Sequence, residues 1–332
     1  MSNARYDVLG IGNAIVDLIA TTDETFLVQE SIQKGGMTLI DEARAEHLYR
    51  AMGPAIVTSG GSAGNTMAGI ASLGGKGVYI GKVRDDELGR LFRHDITSIG
   101  VDFTTDPAAS GPSTARSMIF VTADGERSMN TYLGACQNLT AQDVDAALVE
   151  SATVTYLEGY LWDPPAAKEA FRKASEIAHK AGRQVALTLS DSFCVDRYRA
   201  EFLDLMKSGV VDIIFANESE LTSLYTTADF ESAVAAVRND VGLAVVTRSA
   251  LGAMAVSRDE TVSVPAFPVE KLVDTTGAGD LFASGFLFGY TNGKDKRTAL
   301  RLGALAAAEV IAHVGPRPQQ SLKQLATDNG LI

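Results

Sequence analysis

The sequence predicts an α/β protein: a doubly wound, mostly parallel sheet covered by helices on both faces, with a small inserted β-sheet. Three observations lead there. Short β-rich runs alternate with helical patterns over most of the chain, which is the mark of βαβ units. The apolar runs are continuous, as strands buried on both faces require. Two tracts, residues 15–40 and 113–133, are β-rich without intervening helices.

Taken in order, residues 6–11 read as the first strand, 64–73 as a helix and 78–80 as the next strand. Strand 152–157 leads into helix 166–181, strands 184–189 and 211–216 follow, and helix 230–238 precedes strand 243–247. Within the second β-rich tract, runs 115–122 and 127–133 flank Ala123-Asp124-Gly125-Glu126, whose Asp-Gly pair marks a hairpin turn. The small sheet is expected to project as a lid from segments at about 15–40 and 113–135, within a single domain spanning 1–332. Gly315-Pro316-Arg317-Pro318 is expected to end a long Ala-rich helix, because proline cannot continue one.

Composition excludes several classes. Of 332 residues, 46% are hydrophobic and 21% charged, which suits a globular chain with a sizeable core. The net charge of -12 disfavours a nucleic-acid backbone as partner. Cys136 and Cys194 make no disulfide framework and read as reduced thiols. The amino-terminal residues read as a polar tip and a first strand rather than a signal peptide, and no apolar stretch reaches spanning length. The expectation is a cytoplasmic protein without membrane or nucleic-acid partners; monomer and homodimer both stay open.

The most informative stretch is Asp274-Thr275-Thr276-Gly277-Ala278-Gly279-Asp280, followed by an apolar run with small residues. Gly277, Ala278 and Gly279 are expected to leave their backbone N–H groups uncovered at the positive end of a helix dipole, a site for an anion such as a transferring phosphoryl group. A carboxylate beside that anion makes sense if Asp280 takes a proton from an attacking hydroxyl. Alone, the turn reads better as a tight connection with a capping carboxylate, and it is the wider context that points to function. The second stretch is Gly60-Gly61-Ser62-Ala63-Gly64-Asn65-Thr66. Gly60 and Gly61 can act as a hinge, and Asn65, from the first turn of the next helix, can bond hydroxyls. An ordinary glycine-rich strand-to-helix connection is the plain alternative.

Together the two stretches resemble the signature regions of the ribokinase/PfkB family of carbohydrate and nucleoside kinases, and the resemblance covers nearly the whole chain. Gly12-Asn13-Ala14-Ile15-Val16-Asp17 is similar to the family's substrate-binding strand, which implies that Asp17, assisted by Asn13 and together with Gly60, Gly61 and Asn65, binds sugar hydroxyls. Residues 81–89 resemble its G-x-V-G-x-D-x-x-G segment, with Arg84 in place of glycine. Asn217-Glu218-Ser219-Glu220 resembles its N-x-x-E motif, which implies that Glu220 organises Mg²⁺ through water. Thr247-Arg248-Ser249-Ala250-Leu251-Gly252 resembles the nucleotide-side segment, placing Thr247, Gly252 and Thr276 near ATP, with Ser249 where glycine is usual. The resemblance implies ATP and Mg²⁺ and leaves open a K⁺ ion at carbonyls near the 274–280 turn.

Within that family the chain resembles the adenosine kinases. Residues 127–135 are similar to their lid strand, which implies that Arg127 meets the transferring phosphate and that Met129 and Leu133 face the substrate base. Residues 34–41, with Met37, and 156–162 resemble the segments that close the nucleobase pocket. The implied reaction is transfer of the γ-phosphoryl group of ATP to the 5′ hydroxyl of a nucleoside, adenosine giving AMP. A sugar kinase of the ribokinase or fructokinase type is the alternative within the family, and a non-catalytic ligand-binding protein is the alternative outside it. A phosphate-binding P-loop is absent. His47, His94 and His179 read as solvated on polar helix faces, His313 as a helix-end contact and Trp162 as packing.

Overall fold

The computed structural model describes residues 4–332. Its strands, in chain order, are β1 (Tyr6–Ile11), β2 (Ile15–Thr21), β3 (Met37–Leu39), β4 (Ile56–Gly60), β5 (Gly77–Ile80), β6 (Asp102–Phe103), β7 (Ala115–Val121), β8 (Arg127–Tyr132), β9 (Ala152–Glu158), β10 (Gln184–Thr188), β11 (Ile213–Asn217), β12 (Leu243–Thr247), β13 (Ala253–Ser257) and β14 (Thr261–Val264). They form two sheets. The larger runs β14-β13-β12-β11-β10-β9-β1-β5-β6, and the smaller runs β3-β8-β7-β2-β4. From β12 to β6 every neighbouring pair is parallel, while β13 and β14 add on antiparallel.

The continuous apolar strands follow from this topology. Neighbouring residues on a strand point to opposite faces, and here each face has its own core. Val8, Tyr156, Ile213 and Val245 pack with Met67, Leu281 and Phe286 on one side. Leu9, Leu157, Ile214 and Val246 pack with Phe171, Phe202 and Trp162 on the other. The helix Ala278–Thr291 is buried from Leu281 to Gly289, which explains its run of apolar and small residues.

The small sheet obeys the same alternation with unequal faces. Leu18, Met118 and Phe120 point into a separate core closed by Leu27 and Leu48 of the helices Glu24–Gln29 and Glu42–Ala51. The intervening residues, Asp17, Ser117, Ile119, Met129 and Thr131, face a cavity between the two sheets.

Three expectations change. Residues 15–40 contain the helix Glu24–Gln29, whose first turn is capped by Asp23 accepting from Phe26 N at 2.8 Å. Six residues bury only Leu27 and show no period in the sequence. The small sheet also takes β4, which pairs antiparallel with β2; its exposed Ile56 and Val57 do not alternate as a half-buried strand would. Finally, the Ala-rich helix Lys296–Val310 stops at the cap Ile311, so the segment holding Pro316 is a separate turn rather than its terminator. Among the described residues no helix is long and apolar enough to cross a membrane, and both cysteines are buried and free.

Candidate active site

A cavity of about 1360 Å³ lies at the carboxyl ends of β1 and β9–β12, roofed by the small sheet. That is the usual place for ligands in an open α/β sheet, and the volume is enough for two of them. Its middle is the turn at Gly277, which caps the helix Ala278–Thr291 with φ 78° in the left-handed region. The turn packs so closely on Pro316 that an added Cβ would lie 2.8 Å from the Pro316 ring, which makes glycine necessary there. The expected set of free amides, Gly277 to Gly279, changes by one member. Ala278 N donates to Thr275 O at 3.2 Å, whereas no acceptor among the described residues takes the N–H of Gly277, Gly279 or Asp280. These three amides leave the turn open to an anion.

Asp280 lies in the first turn of that helix and is held from the facing helix Ser62–Ser72. Ser62 Oγ donates to its Oδ1 at 2.6 Å and Asn65 Nδ2 to its Oδ2 at 3.0 Å. Burial raises the Asp280 pKa, opposed by the Ser62 and Asn65 bonds and by the charge of Arg317. A carboxylate with raised affinity for a proton, aligned by two donors, is suited to general-base work. Asn65 Oδ1 is buried and accepts no hydrogen bond from the described residues.

One end of the cavity brings together Asn13, Asp17, Gly61, Asn65, Met37, Met129 and Leu133 in one wall. Gly60 ends β4 outside that wall, where a Cβ would meet Asp17 Oδ2 at 2.2 Å, so its missing side chain makes room for Asp17. Burial raises the Asp17 pKa to about 7, with Arg317 and Arg127 lowering it and Asp280 adding to the rise. Glu158, which the sequence reading passed over, accepts from Asn13 Nδ2 at 2.8 Å, Asn13 N at 3.3 Å and Ala63 N at 2.9 Å. It thereby ties β9 to the residues after β1 and to the start of the helix Ser62–Ser72. Of residues 156–162, Glu158 and Tyr160 line the cavity. Trp162 is fully buried against Phe171 and Phe202 and donates to Glu201, as packing requires. Phe193, also unforeseen, stands at the rim with 79% exposure.

The far end holds Asn217, Glu220, Thr247, Gly252 and Thr276, again together. Ser249, where glycine is usual, keeps a left-handed φ of 49°. Glu220 closes a capping box: its oxygens accept from Asn217 N at 3.0 Å and Asn217 Nδ2 at 2.6 Å, and its own N–H bonds Asn217 Oδ1. Burial, reinforced by Asp191, raises its pKa to about 7 against the Asn217 amide bond. No cluster of three or more ligating side chains exists among the described residues. This donor set fits Mg²⁺ held through water by one carboxylate and does not fit a protein cage.

Arg127 does not line the cavity. Its guanidinium meets Asp274 at 2.8 Å with both side chains 5% exposed, joining the start of β8 to the anion turn. Asp274 also accepts from Thr276 N and Gly315 N, both at 3.0 Å. A guanidinium therefore already balances the carboxylate beside the turn. Three of the four histidines meet carboxylates: His47 with Glu30, His179 with Asp212 and His313 with Glu309.

The comparisons agree with this geometry. The profile described as pfkB family carbohydrate kinase matches residues 55–322. The chain is similar to a probable sugar kinase protein from Rhizobium etli CFN 42, with 57% identity, TM-score 0.93, and 99% of this chain and 100% of that one covered. It is similar to the adenosine kinase from Sinorhizobium meliloti, with 58% identity, TM-score 0.92, and 98% and 100% covered. It is 30% identical to deoxyribokinase from Salmonella typhi over 93% of this chain and 94% of that protein. With an open anion turn and a held carboxylate between two ends of one cavity, the chain belongs to the pfkB family of carbohydrate kinases and is an ATP-dependent phosphotransferase acting on a small-molecule acceptor, a nucleoside or a sugar.

Proposed function

We propose that this phosphotransferase acts, as one kinase domain, on the 5′ hydroxyl of a nucleoside, with adenosine as the acceptor and Asp280 as the base. The observation that carries the proposal is the two-sided acceptor end. Asp17, Asn13 and Asn65 form a polar floor suited to ribose hydroxyls. Met37, Leu39, Ile119, Met129, Leu133 and Phe193 form an apolar rim suited to a flat base. The similarity to the Sinorhizobium meliloti adenosine kinase supports the same reading.

In this mechanism Asp280 takes the hydroxyl proton as the oxygen attacks the γ-phosphorus in line, and ADP leaves as the nucleoside 5′-phosphate forms. The amides of Gly277, Gly279 and Asp280 stabilise charge on the transferring group. Glu220 would hold Mg²⁺ through water, and the ion would supply charge neutralisation to the phosphates. Asn217, Thr247, Gly252 and Thr276 line the nucleotide end. Arg127 acts through Asp274, holding the lid to the turn and so excluding water. Gly61, with φ 83° at the cap of the helix Ser62–Ser72, is the hinge of the lid.

A sugar acceptor is the second reading, favoured by the similarity to the probable sugar kinase protein and by the polar floor, which serves a free sugar as well. Phosphoryl transfer from ATP, measured across adenosine, inosine, ribose and fructose, separates the two. Higher kcat/KM for adenosine supports the nucleoside reading; higher kcat/KM for ribose or fructose replaces it with the sugar kinase.

A further inference from the structure

We propose that Arg317, on the turn after the last long helix, is a positioning residue for phosphoryl transfer: it fixes the Ser59–Gly64 hinge and lends positive charge to the carboxylates beneath the acceptor site. The proposal rests on Asp280 being the base.

The geometry is specific. Arg317 Nε donates to Ser59 O at 3.1 Å, Nη2 to Ser59 O at 2.6 Å and Ser59 Oγ at 2.9 Å, and Nη1 to Gly64 O at 3.1 Å. One planar fork thus bridges the end of β4, a lid strand, to the first turn of the helix Ser62–Ser72. That turn carries Ser62 and Asn65, the two donors that hold Asp280. The same short segment touches the anion turn from the other side, through Gly315 N on Asp274 and Pro316 on Gly277. Residues 315–317 therefore join the lid hinge, the base and the anion turn. A lysine would keep the charge but has no rigid fork with which to span both carbonyl oxygens.

The charge has a second use. All the bonds of Arg317 go to neutral oxygens, and no carboxylate lies within ion-pair distance of it among the described residues. Its field acts instead on Asp95, Asp17 and Asp280. Asp95 is wired to it through Ser59, whose N and Oγ donate to Asp95 Oδ2 at 2.7 and 2.5 Å. Around Asp280 the other titratable groups are Asp17 of the small sheet, Tyr156 and Glu158 of β9, and Tyr160 just after it. The two carboxylates oppose ionisation of Asp280, and Arg317 opposes them, so the base stays available at lower pH with Arg317 than without it.

The test is the pH profile of kcat for Arg317→Met and Arg317→Lys beside the wild-type enzyme. In Arg317→Met the acid limb is expected to move to higher pH, so that kcat at the acid end falls about tenfold more than on the plateau. In Arg317→Lys the limb is expected to stay in place while plateau kcat falls several-fold, because the charge remains and the fork does not. An unmoved limb in Arg317→Met overturns the proposal. If that variant does not fold, Arg317→Lys decides: wild-type plateau kcat, or a limb displaced with the charge kept, overturns it. Asp280→Asn separates this from the underlying reading, because a fully active Asp280→Asn removes the base itself, whereas an inactive Asp280→Asn with an unmoved Arg317→Met limb removes only the role of Arg317.

Discussion

Glu158 is the buried carboxylate that ties Asn13 and Ala63 together at the cavity wall, and neutralising it has a calculable consequence. Only 1% exposed, it is surrounded by three N–H donors. Burial nevertheless wins over those bonds, with Asp280 adding to the rise, and lifts its pKa from 4.5 to about 7. A folded-state pKa above the unfolded one means the native protein holds this proton longer than the unfolded chain does. Stability is then lost as pH rises from about 4.5 to about 7 and is level above that. At about 1.4 kcal/mol per tenfold, the gap amounts to about 3 kcal/mol at most. Glu158→Gln resembles the protonated acid: its amide leaves one facing N–H poorly paired at every pH, and it does not titrate. Urea unfolding of both proteins at about pH 5 and about pH 8 measures the difference. The Gln variant is expected to gain up to about 3 kcal/mol relative to wild type between the two, whatever the offset at about pH 5. A difference between the two proteins that is constant with pH to within about 0.5 kcal/mol refutes the assignment of a costly buried charge to Glu158.

Other perturbations act on ligand. Asp17→Ala is expected to lower kcat/KM for a ribonucleoside by about 10- to 100-fold, the loss of a charged hydrogen bond, and to leave a 2′,3′-dideoxy analogue nearly unaffected; equal losses would make Asp17 a purely structural residue. Leu133→Ser removes part of the apolar rim and is expected to raise the KM for adenosine about tenfold, the equivalent of about 50 Å² of apolar contact, with kcat and any residual sugar activity little changed. Gly277→Ala introduces a side chain at φ 78° against Pro316 and is expected to cost about 1–3 kcal/mol of stability together with phosphoryl transfer; a stable, active variant would show that the turn tolerates a Cβ.

The sequence revealed the main sheet because parallel strands buried on both faces are continuous apolar runs, as in β1 and β12. Asp280, Asn65 and Asp17, which line the cavity, could be picked out because each stands in a short local motif. Glu158 was hidden because it ends an otherwise apolar strand and its partners lie at Asn13 and Ala63, far off in sequence. Arg317 was hidden more deeply, since its acceptors are Ser59 and Gly64 across the whole chain and its proline neighbours suggested only a helix end. Ser62 stood inside a recognised motif, yet no spacing rule distinguished its hydroxyl from a helix start. Arg127, which the family resemblance put at the phosphate, pairs with Asp274 from the other signature stretch, a partner no local motif announces. β4 escaped because an edge strand with exposed Ile56 and Val57 lacks a buried face to set its alternation.

The account turns on Asp280 as the group that accepts the hydroxyl proton beside the anion turn. The most direct measurement is single-turnover phosphoryl transfer from ATP by Asp280→Asn, with ATP affinity measured separately by equilibrium binding. Asparagine preserves the size of the side chain but cannot take the proton. The account predicts a rate lower by about 10²–10⁴-fold with ATP affinity close to wild type. A near-normal rate with the same affinity would contradict it and move the base elsewhere in the cavity.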